Sequence, residues 1–281
     1  MNHIYDTHCH PNLNKIKESE EIIKNFFENW WKYMNIIWTN LKTCSDVLKL
    51  SNINEWIYTS IWIHPCDIYD LDLEATIKKL EKLLLINRKK IVAIWECWLD
   101  YYWMEKELEP LSWILSPTQE KEATEIIKLK KEKQELFFKA QINLAKKNNL
   151  PIIIHNRDSK DDVLRILKET SFKNFIFHCY SENLEYAEKL IEFSPNCKIS
   201  FSGIVTFKNA KEIQETAKNI PLINILAETD SPYLTPTPFR WKEENEPLFT
   251  KYIIEKISNL RWKDCSKEIL ENSMEIFCIK K

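Results

Sequence analysis

At 281 residues, with 44% of them apolar, the chain can bury a sizeable core and has a length at which single α/β barrels commonly fall. A net charge of −2 excludes a uniformly basic nucleic-acid coat, so any phosphate binding has to be local. No apolar run approaches the roughly 18 residues that would span a bilayer, and no basic segment followed by an apolar stretch opens the chain, so neither a membrane span nor a signal peptide is expected and the expected location is the cytoplasm.

Segments of strand character alternate with longer amphipathic ones. The strands are expected at Ile4–His8, Asn35–Thr39, Ile57–Ile63, Ile91–Glu96, Pro151–His155, Asn174–His178, Lys198–Gly203 and Ile223–Glu228. The helices between them are expected at Lys15–Lys32, Leu73–Arg88, Glu120–Asn148, Ser159–Glu169, Asn183–Phe193 and Ala210–Asn219, with Pro247–Leu260 and Ser266–Phe277 after the last strand. Most strands are continuous apolar runs, the mark of a parallel sheet covered on both faces. Eight such units predict one (β/α)8 TIM barrel over residues 1–281. An open doubly wound sheet fits less well, because no glycine-rich dinucleotide or phosphate loop is present.

The fourth unit is long. Residues 103–119, with Pro110 and Pro117, read as an inserted loop near the barrel mouth. The run Lys128–Lys133 reads as a solvated helix face. Eight cysteines include no Cys-x2-Cys pair and are read as reduced thiols, mostly core residues.

One feature of the composition is far from the norm. The chain holds one glycine and eleven tryptophans, where ordinary usage of about 7% gives roughly 20 glycines in this length. Trp38, Trp62, Trp95, Trp98, Trp241 and Trp262 stand just past strand ends or beside polar residues, where a bulky ring makes little sense. The expectation is that many of these are glycines in the living protein, written as tryptophan where UGA codons are reassigned to glycine.

His8 and His10 lie two apart at the end of the first strand, so their imidazoles point to one face. Glu96 closes the fourth strand, His155 the fifth and His178 the sixth, and Asp230 follows the eighth. Taken singly, each has an ordinary reading: a hydrogen-bonded rim histidine, a salt-bridge partner, a turn cap before Pro232. In a barrel, however, the C-terminal strand ends share one face, where active sites are built. Charged and imidazole groups gathered there must be paired or metal-bound. Four imidazoles and two carboxylates suffice for two divalent ions, with Glu96 the natural bridge, and ions roughly 3.5–4 Å apart can hold a scissile group and activate a water.

These residues sit in Asp-Thr-His-Cys-His (6–10), Trp-Ile-His-Pro (62–65), Trp-Glu-Cys-Trp-Leu-Asp-Tyr-Tyr (95–102), Leu-Pro-Ile-Ile-Ile-His-Asn-Arg-Asp (150–158), Phe-His-Cys-Tyr-Ser (177–181), Phe-Ser-Gly (201–203), Glu-Thr-Asp-Ser-Pro-Tyr-Leu (228–234) and Pro-Phe-Arg-Trp-Lys-Glu-Glu-Asn-Glu-Pro (238–247). With these motifs the chain resembles the TatD family of metal-dependent deoxyribonucleases, nearly end to end. It departs from the family at Trp62, Trp95, Trp98 and Trp241, where the family has glycine, and in the longer segment after Tyr102.

The resemblance implies His8, His10, Glu96, His155, His178 and Asp230 as metal ligands, with Glu96 and Asp230 also catalytic. It implies His64 as the histidine near the scissile phosphate, catalytic and substrate-binding. Arg157 and Arg240 are candidates to hold phosphate oxygens, a geometry that guanidinium matches bidentately, and Glu228 to orient a ligand. The expected enzyme is a monomeric two-metal phosphodiesterase (Mg, Zn or Mn) that trims DNA, single-stranded or at ends, by an activated water. The alternative is a D-aminoacyl-tRNA deacylase or another amidohydrolase-type ester or amide hydrolase on the same site, since barrels change chemistry through loops. A barrel that binds metal or nucleic acid without turnover is the reading from a different class.

Overall fold

The computed structural model describes residues 3–29, 31–38, 44–61, 68–94, 99–102, 106 and 116–279. Glu96, His64, Trp62, Trp95, Trp98 and most of the 103–119 segment lie outside the described residues.

Eight parallel strands run in the order β1 (Tyr5–Cys9), β2 (Tyr33–Ile37), β3 (Ile57–Ile61), β4 (Ile91–Ile94), β6 (Ile152–Ile154), β8 (Phe175–Phe177), β9 (Lys198–Phe201) and β10 (Ile225–Ala227). All but one of their residues are buried, because helices cover the outer face and side chains fill the inner one. The ring closes between first and last strands. Cys9 bridges Ser231 in parallel register, the Asp230 amide donates to the His8 carbonyl at 2.9 Å, and the His10 amide donates to the Ser231 carbonyl at 2.8 Å. The fold is the expected (β/α)8 barrel.

The helices are α1 (Ser19–Glu28), α2 (Cys44–Ser51), α3 (Leu73–Ile86), α4 (Pro117–Asn148), α5 (Lys160–Thr170), α6 (Leu184–Phe193), α7 (Lys211–Asn219), α8 (Thr250–Arg261) and α9 (Ser266–Ile276). Each buries a stripe against the sheet, as Val163, Ile166 and Leu167 do in α5. The starts of α3 and α6 are set by short polar side chains: Asp72 accepts from the Ala75 amide at 2.7 Å, and Asn183 from the Tyr186 amide at 3.0 Å. Among the described residues no helix is long and apolar enough to cross a membrane.

Several elements differ from expectation. The helix α4 begins at Pro117, so residues 117–119 are helical and not part of a loop. Ser116 and Gln119 form a reciprocal capping box there, with proline in the first turn where a missing N–H costs nothing. The helix α2 was not expected at all. A short pair, β5 (Leu99–Asp100) and β7 (Asn156–Arg157), extends the wall beyond β4 and β6.

Left-handed backbone is carried entirely by residues other than glycine: Asn149, Asp158, Ser171, Cys179, Asp230, Leu234, Trp241, Trp262 and Cys278 among the described residues. The lone glycine, Gly203, is needed for a different reason. A Cβ there would stand 1.8 Å from the Leu234 carbonyl oxygen.

Candidate metal centre

Strand β1 delivers His8 and His10 to the C-terminal mouth, as the two-residue period requires. The chain leaving β10 brings Asp230 against them. His8 Nε2 is 3.1 Å from His10 Nε2 and 3.3 Å from Asp230 Oδ1, and His10 Nε2 is 3.7 Å from the same oxygen. An ion with bonds of about 2.1 Å separates its donor atoms by about 3.0–3.4 Å. The triangle of donors therefore has the size that one divalent cation demands.

Opposite, the rings of His8 and His178 stack with centroids 4.2 Å apart, and His178 Nε2 lies 2.8 Å from His155 Nδ1. His8, His178 and Glu228 form a second group of donors within 4.8 Å of one another, so His8 is common to both groups. The outward-facing nitrogens are held in the tautomer that metal binding needs. His10 Nδ1 faces the Ile37 carbonyl at 3.3 Å, and His178 Nδ1 faces Glu228 Oε1 at 3.2 Å, which leaves each Nε2 lone pair directed inward. The Cys179 amide donates to Glu228 Oε1 at 2.6 Å and fixes that carboxylate.

The structure thus brings His8, His10, His155, His178 and Asp230 into one continuous set of contacts. Arg157, in β7 at the same end of the barrel, places its guanidinium 3.8 Å from the centroid of the Tyr102 ring. Arg240, on the loop after β10, stacks 3.7 Å from the Phe207 ring. The Lys128–Lys133 run is not wholly a solvated face. Lys131 lies 4.1 Å from the Tyr101 ring centroid, and Lys133 donates to the Tyr69 carbonyl at 2.6 Å.

Sequence reasoning assigned no role to Asp6. Its buried carboxylate accepts from the Thr229 amide at 3.0 Å, the Thr229 hydroxyl at 2.6 Å and the His8 amide at 3.2 Å, and so ties β1 to the Asp230 segment. It stands beside Thr7 and His8 in β1, so hydropathy did not single it out.

Burial dominates the electrostatics of the centre. It pushes Asp6 up to about 7 and Glu228 up to about 8, and raises Asp230 with help from Glu228 and Asp6. It lowers His10 and His178 to about 3, and lowers His8 with help from the neighbouring imidazoles. A set of neutral imidazoles beside carboxyls reluctant to ionise is one that a cation would relieve.

A stability profile follows. The lowered histidines make the metal-free protein more stable as pH rises from about 3 to 6.5, and the raised carboxyls make it less stable as pH rises from about 4 through 7 and 8. Between about 4.5 and 6.5 the two trends oppose each other, and above 6.5 only the carboxyl loss remains. Chelator-treated protein is expected to lose about 1 kcal/mol per pH unit between pH 6.5 and 8. With a saturating divalent cation the decline should disappear. Thermal melts across pH, with and without EDTA, check both halves.

Comparison with known proteins agrees with this architecture. Residues 5–278 match the family described as TatD related DNase. An uncharacterized metal-dependent hydrolase of Bacillus subtilis, YabD, is 35% identical over 98% of this chain and 99% of its own length. One from Mycoplasma genitalium, MG009, is 32% identical over 97% and 98%. The crystal structure of YJJV, a TatD homolog from Escherichia coli K12, shares the fold with a TM-score of 0.80 at 22% identity, covering 99% of this chain and 98% of that one. A TatD family hydrolase from Entamoeba histolytica superposes with a TM-score of 0.78 at 18% identity, covering 99% of each. Match length, ligand-type residues at the strand ends and barrel closure agree, and the chain belongs to the TatD family of metal-dependent hydrolases.

Proposed function

We propose that this chain hydrolyses phosphodiester bonds of DNA, trimming single strands or ends, with two divalent cations bound at the barrel mouth. The observation that carries the reading is the donor triangle of His8, His10 and Asp230, with edges of 3.1, 3.3 and 3.7 Å, facing His155 and His178 across the mouth. His8, His10 and Asp230 would hold one ion and His155 and His178 the other, with Glu96 between them as the family resemblance implies. When bound, such ions polarise a phosphoryl oxygen and lower the pKa of a water in reach.

The remaining work falls to side chains. Asp230 accepts the water's proton on its second carboxylate oxygen, a role suited to a carboxylate whose pKa is raised by burial, with help from Glu228 and Asp6. Arg157 and Arg240 take the non-bridging phosphate oxygens, their planes held flat by Tyr102 and Phe207. His64 stands near the scissile phosphate by the same resemblance. Tyr233, three residues past Asp230 and more than half exposed, offers a face on which a splayed base can stack, which favours single strands or frayed ends over intact duplex. The net charge of −2 suits binding centred on the ions rather than long coverage of a duplex.

The test is turnover of an end-labelled single-stranded oligonucleotide by protein reconstituted with Mg, Mn or Zn, beside deacylation of D-aminoacyl-tRNA and hydrolysis of simple amides and lactones. Stepwise shortening that needs metal and vanishes in Asp230→Asn supports the reading. Faster deacylation of charged tRNA would replace it with the alternative hydrolase, and metal binding without turnover on any substrate would make the protein a binder.

A further inference from the structure

We propose that Asn245 is a positioning residue for the metal centre: it sets the aim of the Asp230 carboxylate by fixing the backbone on both sides of it. This rests on the reading of Asp230 as a ligand. Asp230 has φ 52°, left-handed backbone that non-glycine residues rarely adopt, so its conformation must be imposed from outside. Its own peptide groups are committed, the amide to the His8 carbonyl at 2.9 Å and the carbonyl to the Tyr233 amide at 3.0 Å. What brackets it is Asn245. That side chain is fully buried, and its Nδ2 donates to the Thr229 carbonyl at 2.8 Å and to the Tyr233 carbonyl. With Asp6 holding the amide and hydroxyl of Thr229 from the other side, every polar group of Thr229 is engaged. Loss of the Asn245 donors would leave two carbonyls without these partners, one of them in the buried residue Thr229.

Asn245 is itself anchored to the strand that supplies the histidines. Its neighbour Glu244 accepts from the Lys15 amide at 3.1 Å, and Glu246 accepts from Lys17 Nζ at 3.1 and 3.3 Å. The two residues that flank Asn245 therefore fasten the long loop after β10 to the connection that leaves β1, while Asn245 holds the Asp230 segment. The segments carrying His8 and His10, on one side, and Asp230, on the other, are aligned by the same tripeptide.

The experiment is a double-mutant cycle read by Co(II) binding to the metal-free protein, using isothermal titration and the visible absorption of bound Co(II). Asn245→Ala is expected to weaken binding at one of two sites by about 10–100-fold, the range for groups that orient ligands, and to change the absorption of that site. In the Asp230→Asn background the same substitution is expected to add less than twofold, because the residue it acts through is already altered. Equal losses in both backgrounds, or no loss in the native background, overturn the positioning role. If Asp230→Asn alone binds Co(II) as the native chain does, the ligand reading of Asp230 fails, and the proposal with it. Should Asn245→Ala not fold, Asn245→Ser, which keeps one short donor, replaces it under the same thresholds. The melting temperature of the metal-free variants reports the purely structural cost separately.

Discussion

Replacing His8 with alanine is expected to abolish binding of the cation held with His10 and Asp230, to weaken the second by removing the ring that packs His178, and to lower kcat/KM by about 10³–10⁴-fold, a loss of about 4–5.5 kcal/mol in transition-state stabilisation. His8 is the donor shared by the two groups, facing His10 and Asp230 through Nε2 while its ring lies against that of His178. Without it, the first ion loses a ligand and His178 loses the ring stacked against it. His10→Ala removes a donor from one group only, and His155→Ala removes a neighbour of His178, so each is expected to cost about 10²-fold and to leave one ion bound. Metal content per chain and kcat/KM, measured on all three variants after circular dichroism has verified the fold, give the ranking. If His8→Ala keeps two ions, or is no worse than His10→Ala, the shared-donor geometry does not operate.

The centre was legible where it rests on local rules. Parity along β1 put His8 and His10 on one face, and the ends of apolar runs placed His155, His178 and Asp230 at the mouth, because a parallel barrel sends all strand ends one way. The supporting hydrogen bonds were not legible. Asp6 meets Thr229 across 223 positions, a pairing that exists only once the ring closes, and Asn245 reaches Thr229 across a loop with no periodicity. Neither residue leaves a trace in hydropathy or spacing.

The fold shows the same division. The continuous apolar strands were found, but α2, with only Val47 and Ser51 buried over eight residues, has too little apolar stripe to register. The start of α4 had a readable signal, Ser116 followed by Pro117 and Gln119. Proline there reads equally well as a breaker, and only the observed capping bonds decide for a helix start. Strand β2 begins at Tyr33, two residues before its expected start, a boundary hidden because the polar Asn35 separates Tyr33 and Met34 from the apolar residues that follow.

Glycine at positions 241 and 262 is expected to stabilise the protein, whereas glycine at 38 is expected to destabilise it. Trp241 and Trp262 have φ 70° and 54°, and they are 89% and 90% exposed. The Trp262 ring therefore gains little from packing and the Trp241 ring little beyond the Arg240 guanidinium 4.9 Å from its centroid, while left-handed backbone costs a residue with a Cβ roughly 1–2 kcal/mol. Trp262 ends α8 at the position where helices most often place glycine, and its ring lines a groove of about 790 Å³ beside Ile4 and Ile254. Allowing for the greater freedom of glycine in the unfolded chain, the double change Trp241→Gly with Trp262→Gly is expected to add about 1–2 kcal/mol, or several degrees in Tm. Trp38 has no such backbone. Its side chain is fully buried, and its removal would leave a cavity costing about 3 kcal/mol, offset in part because its indole N–H is buried without a hydrogen-bond partner. Differential scanning calorimetry of the two variants reads the signs directly, and a fall in Tm for the 241/262 pair would remove the backbone case. Peptide masses from the protein made in its own cells decide whether tryptophan stands there at all. Two bare rings on left-handed backbone, in a chain with a single glycine, are what reassigned UGA codons would write.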